Sequence, residues 1–162
     1  MTTSDSDPSK NSFHTKETYD VEESFPMLMA TCVKHLRETL NACVTEAGHN
    51  VTSEQWMILT HLANEDGVTQ QDLANRYDRT KVSTLGLLKK LEKSGLVIRR
   101  KDPEDGRCNL VYLTVAGRNL QKALIPLAKA NIARLSQGLS PEDIAHLKST
   151  LRKITATAKY YR

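Results

Sequence analysis

Apolar residues recur at steps of three and four along most of this chain and give way to short runs in one place. From Phe25 the positions Phe25, Leu28, Met29, Cys32, Val33, Leu36, Leu40, Cys43 and Val44 fall on one face of a helix, which Gly48 and Asn50 end. "SEQWMILTHLAN" predicts a second helix, opened by the capping pair Thr52 and Gln55 and carrying Trp56, Leu59 and Leu62 inward. "TQQDLANRY" repeats the device with Thr69 and Asp72, giving a helix of about two turns with Leu73, Ala74 and Tyr77 inside. After a break at Asp78, Thr84, Leu87, Leu88 and Leu91 mark one side of a fourth helix that Gly95 stops.

The period then changes. Leu96 to Ile98 and Leu110 to Leu113 are apolar, β-branched runs on either side of "RRKDPEDGRCN", the pattern of a β-hairpin with a Pro, Asp and Gly tip. Thr114 begins a helix with Val115, Leu120, Leu124, Leu127, Ala128, Ile132 and Leu135 on its buried side, and Pro126 inside it is expected to kink it. Ser140 as N-cap and Pro141 at the first helical position start the last helix. There Ile144, Leu147, Leu151, Ile154, Ala158 and Tyr161 are spaced 3, 4, 3, 4, 3, a heptad seam that calls for a partner helix.

Composition narrows the function. The segment up to residue 23 holds six acids against two bases, a charge of −4, which leaves +8 on the other 139 of the 162 residues. Rich in Ser, Thr and Asp and poor in aliphatics, residues 1–22 are expected to form a flexible acidic tail. No run approaches the roughly 18 apolar residues that cross a bilayer, and a signal peptide core is missing, so the expectation is a cytoplasmic protein with no membrane contact. Cys32, Cys43 and Cys108 form no CxxC pair, and the five histidines show no metal-ligand spacing. With no glycine-rich phosphate loop and no nucleophile motif either, neither a metal, a cofactor nor an enzyme activity is expected.

The positive charge is concentrated. Arg79, Lys81, Lys89, Lys90, Lys93, Arg99, Arg100 and Lys101 face the single acid Glu92 within residues 79–101. On the fourth helix the polar side mixes these cations with Val82, Ser83, Leu85 and Gly86. A solvated helix face gains nothing from a glycine, which costs about 1 kcal/mol against alanine in a helix interior, so something is expected to approach closely there. Two short helices, a cationic third and a charged hairpin make the order of a winged helix-turn-helix. Val82 and Leu85 then suit thymine methyl groups, and Lys89, Lys90 and Lys93 suit phosphates. Arg99, Arg100 and Lys101 are expected to face phosphates from the outgoing strand of the hairpin. The competing reading, a winged-helix module for protein contacts, predicts a reading face without these cations.

From about residue 25 onward the sequence resembles the multiple antibiotic resistance regulator (MarR) family of winged helix-turn-helix transcription factors. The resemblance rests on "SEQWMILTHL", "TQQDLANRY", "TKVSTLGLLKKLEKSGLVIRR", "DPEDGR" and "LTVAG" in that order and spacing. It implies a mainly α fold with a small β-hairpin wing, in which residues 23–162 form the family domain. Within it 51–114 is the DNA-binding region, with its wing at 99–110, and 23–48 and 115–162 are dimerisation helices. It further implies a homodimeric repressor of double-stranded DNA on a pseudo-palindromic operator. Thr80, Lys81, Ser83 and Thr84 match the start of the recognition helix, Arg107 the wing-tip arginine and Asp105 the acid that holds the wing. Gly106 and Gly86 depart from the pattern, standing where relatives often carry cations or polar readers. The trigger implied is a small aromatic ligand in a cavity that would draw on residues such as Met29, Val33, His35, Trp56 and Met57, although ordinary core packing explains these equally. Thiol oxidation at Cys32 or Cys108 is the competing trigger.

Overall fold

A computed structural model describes residues 19–77 and 80–161, with Lys81 described by its backbone only. The acidic tail therefore lies outside the described residues as far as residue 18, as do Asp78 and Arg79. The chain divides into two units, Met1–His35 and Leu36–Arg162. The described part of the first is a turn, in which the Asp20 carboxylate accepts from the N–H groups of Glu22 and Glu23, followed by the first half of helix α1 (Phe25–Glu46). Phe25, Met27, Leu28 and Val33 are all exposed there.

In the second unit the predicted helices form as α2 (Ser53–Asn64), α3 (Gln70–Arg76), α4 (Lys81–Lys93), α5 (Val115–Leu135) and α6 (Pro141–Tyr160). Their starts are encoded by hydroxyls. Thr52, Thr69 and Ser140 each accept from the third backbone N–H of their helix while Gln55, Asp72 and Asp143 reach back, three reciprocal boxes that satisfy otherwise orphaned donors. That bonding by Ser140 holds the exposed Asp143 carboxyl below its usual range. α5 runs unbroken through the exposed Pro126.

The core is built where the apolar stripes meet. Ile58, Leu59 and Leu62 of α2, Leu73 of α3, Leu88 and Leu91 of α4, and Leu124 of α5 are almost fully buried. Val44 at the end of α1 joins them, and Asn41 one turn earlier accepts the Ser53 N–H at 2.6 Å.

The hairpin is the pair β2 (Val97–Lys101) and β3 (Asn109–Leu113), in antiparallel register with Val97 opposite Leu113 and Lys101 opposite Asn109. A two-residue strand, β1 (Val68–Thr69), adds to the other side of β3, giving the order β1-β3-β2. The sequence pattern does not predict β1, because two residues carry no alternation and Thr69 already reads as a helix cap. Two features bolt this sheet to its neighbours. Asp66 accepts the Leu113 N–H at 2.8 Å and pairs with Arg118 of α5 at 2.9 Å. Gly117, in the first turn of α5, lies so close to the Leu96 carbonyl that a Cβ there would sit 2.0 Å from its oxygen.

Candidate nucleic-acid interface

α4 begins at Thr80, whose hydroxyl accepts the Ser83 N–H at 3.1 Å, and it ends at Ser94 and Gly95. Gly95 takes φ +68° and donates to the Glu92 carbonyl while Leu96 donates to Leu91, a left-handed stop that turns the chain into β2. Between these ends the helix divides cleanly. Leu88 and Leu91 go to the core, while Val82, Ser83, Gly86, Lys89, Lys90 and Lys93 are exposed and Leu85 is half-buried. Val82 is 80% exposed. The structure corrects one expected reader: Thr84 is 1% exposed, faces the core and cannot reach a base edge.

Beyond its own helix backbone and chain neighbours, no described residue lies within 4 Å of where a Cβ on Gly86 would be. Internal packing therefore gives no reason for a glycine. Gly86→Ala is expected to stabilise the fold by up to about 1 kcal/mol, as alanine does for glycine in a helix interior, while weakening DNA binding. Denaturant unfolding and fluorescence anisotropy on one sample check both signs; tighter DNA binding by the variant would rule out close approach at this position.

Strand alternation sorts the three cations of β2. Val97 and Arg99 share the inner face with Val111 and Leu113, so Arg99 points toward α4, where its guanidinium pairs with Glu92. Its Nε donates to the same carboxylate at 3.1 Å. This is a second correction: Arg99 is a tie between helix and wing and not a phosphate contact. The hydrogen bond from Arg99 holds the Glu92 carboxyl below its usual range and the guanidinium above its own. Such a group contributes stability above the unfolded carboxyl value of 4.5 and loses it as pH falls through the lowered one. Glu92→Gln is accordingly expected to cost about 0.5–1 kcal/mol at neutral pH, the scale of a partly exposed ion pair. The difference from wild type should vanish in acid when unfolding is followed against pH.

Arg100 lies on the outer face with its guanidinium over the Tyr112 ring, and the Lys101 ammonium donates to the Gly106 carbonyl at 3.0 Å. The wing tip is tied by its own acids. Asp102 accepts the Glu104 N–H at 2.8 Å, Asp105 accepts the Arg107 N–H at 3.0 Å, and the Asp105 carbonyl accepts from Cys108. Arg107 is exposed at this tip and lines a shallow cleft with Thr69, Gln70 and Gln71. Cys32, Cys43 and Cys108 take part in no disulfide; Cys32 is exposed, and the Cys108 thiol lies 3.5 Å from the Asp105 carboxylate.

A cleft of about 270 Å³ opens beside the reading head, lined by Trp56, Met57, Thr60, His61, Asn64 and Tyr77. Trp56 packs against the core and donates its indole N–H to the Gln121 carbonyl at 3.3 Å, and the Tyr77 hydroxyl donates to Met57 at 2.6 Å. Thr60 Oγ1 and His61 Nε2, on two of the lining residues, are buried and have no hydrogen-bond partner among the described residues. Burial, with Arg76 nearby, holds the His61 imidazole below its usual value and so favours the neutral ring.

Residues 51–109 match the family model described as the MarR family. The transcriptional regulator FarR of Neisseria gonorrhoeae is 32% identical over 105 residues, which cover 65% of this chain and 72% of that protein. The chain belongs to the MarR family. It is a DNA-binding transcription regulator and not an enzyme. The homoprotocatechuate degradative operon repressor of Escherichia coli is 38% identical over 72 residues, 44% of this chain and 49% of that one. Among solved structures, the S. aureus MepR–DNA complex aligns with a TM-score of 0.75 at 26% identity, covering 83% of this chain and 98% of that one. The PcaV regulator of Streptomyces coelicolor, solved with its natural ligand, aligns with a TM-score of 0.78 over 87% and 98% of the two chains; at 22% identity this likeness is one of fold.

Within this MarR-family domain the structure therefore brings Thr80, Val82, Ser83, Leu85, Lys89 and Lys90 onto one helix surface and Arg100, Asp105 and Arg107 onto one wing. Lys81 contributes the first residue of α4, its side chain lying outside the described residues. Sequence reasoning missed Asp66, Glu92 and Tyr112 as the groups that hold the wing. No local motif signals their partners, which lie 47 residues away for Asp66 and Leu113 and on facing elements for the other two.

Proposed function

We propose that this chain is a cytoplasmic homodimeric repressor that reads a pseudo-palindromic operator and releases it when a small aromatic ligand enters the Trp56–Tyr77 cleft. The observation that carries the DNA reading is the outer face of α4, where an 80% exposed Val82 and an uncrowded Gly86 stand among exposed lysines. That composition suits base edges and phosphates together and argues against a module for protein contacts. Val82, Leu85, Thr80 and Ser83 read the major groove, Lys89, Lys90 and Arg100 neutralise phosphates, and Arg107 enters the minor groove, where narrow A·T-rich stretches attract a guanidinium.

Pairing is supported by α6, none of whose residues is buried in the single chain although its seam is apolar, with Leu147 49% exposed. Helices from 23–48 and 115–162 form the dimer, and 51–114 the reading region. The half-sites then lie about one helical turn apart. The lining of the cleft, with Trp56 and Tyr77 beside Thr60 and Asn64, favours a ligand carrying both a ring and a hydrogen-bonding group over thiol oxidation at Cys32 or Cys108 as the trigger.

Duplexes selected from a genomic pool, titrated by anisotropy with sizing of the same sample, test the proposal. Affinity should fall about 10³-fold between 50 and 200 mM salt if some six phosphates are neutralised. A flat salt response, or a monomer that binds as well as a dimer, would overturn it.

A further inference from the structure

We propose that Tyr112 is a positioning residue for DNA binding, which holds the Arg100 guanidinium in one orientation on the outer face of the wing. The register sets the pair up. Ile98 lies opposite Tyr112 and Arg100 opposite Leu110, so Arg100 and Tyr112 are diagonal neighbours on the same face of the sheet. The guanidinium carbon stands 5.6 Å from the ring centroid, within cation–π reach.

The ring itself is backed by main chain. A Cβ at Gly67 would lie 2.8 Å from Cε1 of Tyr112 and 3.1 Å from both Cζ and the phenol oxygen, so only bare backbone lets the ring settle there. Gly67 is fixed in turn, with φ +75° and its N–H donating to the Val111 carbonyl at 3.0 Å. Gly67, Tyr112 and Arg100 thus form a stack built outward from the fixed end of the wing.

The neighbours of Arg100 show why this matters. Arg99 gives its donors to a carboxylate and Lys101 gives its ammonium to a carbonyl. Arg100 is held by an aromatic face, which accepts no N–H bond from its edge, so the planar fork is ordered while its donors remain available. An arginine ordered beforehand loses less side-chain freedom on meeting a phosphate than a free one does. The inference rests on the reading of Arg100 as a phosphate contact.

The test uses the full chain, with the Arg100 side-chain NMR signal reporting the stack and anisotropy on a selected duplex at several salt concentrations reporting binding. Tyr112→Leu is expected to remove the ring-current shift of Arg100 and to weaken binding about two- to five-fold per wing, with the salt slope kept because the arginine still reaches its phosphate. Arg100→Gln should weaken binding at least as much and flatten the salt slope by about one per wing, adding Tyr112→Leu to it should change nothing further, and Tyr112→Phe should behave as wild type because it keeps the ring face. Further weakening when Tyr112→Leu is added to Arg100→Gln would mean a structural role and overturn the inference, as would a phenylalanine variant that fails like leucine. A stack seen by NMR with Arg100→Gln binding normally would overturn it while leaving DNA binding intact. A wild-type chain that binds no duplex would overturn the operator reading as well.

Discussion

Alanine at position 107 is expected to weaken operator binding by about 1–3 kcal/mol, the range of a well-placed arginine contact to DNA, while leaving thermal unfolding and oligomer size unchanged. The separation follows from how the wing tip is built. Asp105 captures the Arg107 N–H and Lys101 captures the Gly106 carbonyl, so the bonds that shape the tip come from main chain and neighbours. Truncating the exposed side chain removes the reader and leaves its mount. Asp105→Ala should act differently, loosening the tip and reducing affinity through disorder. Anisotropy and sizing on the same samples distinguish the two, and an Arg107→Ala protein with wild-type affinity would sink the assignment of the wing.

The largest loss of stability is expected from Gly117→Ala. A methyl group there would lie 2.0 Å from the Leu96 oxygen and 3.0 Å from a Leu113 methyl carbon. The carbonyl cannot move away without breaking the Thr114 N–H bond that it accepts at 3.1 Å. Overpacking against backbone usually costs about 1–3 kcal/mol and occasionally more, and this contact belongs at the upper end. A chemical denaturation curve measures it. A midpoint within error of wild type would mean that α5 can shift from the sheet at little cost.

These cases also show what sequence could and could not tell. The helix starts were legible because a hydroxyl and an acceptor three residues later are a local signal, and Thr52, Thr69 and Ser140 all fulfil it. The wing was legible from its turn residues. Thr84 was placed correctly on the core side by its spacing from Leu87, Leu88 and Leu91 and misplaced as a reader by the family resemblance, because a single step from Ser83 turns a side chain by about 100°. Arg99 was misplaced for the strand version of the same reason: which member of "RRK" points inward depends on register, and register is fixed by Leu113 and Val111 across the sheet. The clamp at Asp66 had no signal, since an Asp-Gly pair before a short helix reads as an ordinary turn.

That clamp has a mechanical consequence. One carboxylate holds both the last residue of the returning wing strand β3 and an arginine in the first turn of α5, at 2.8 and 2.9 Å. Helix and hairpin are therefore levers sharing one pivot at Asp66, the long one along α5 and the short one ending at Arg107. A tilt of α5 is expected to reach the wing tip as a change of aim.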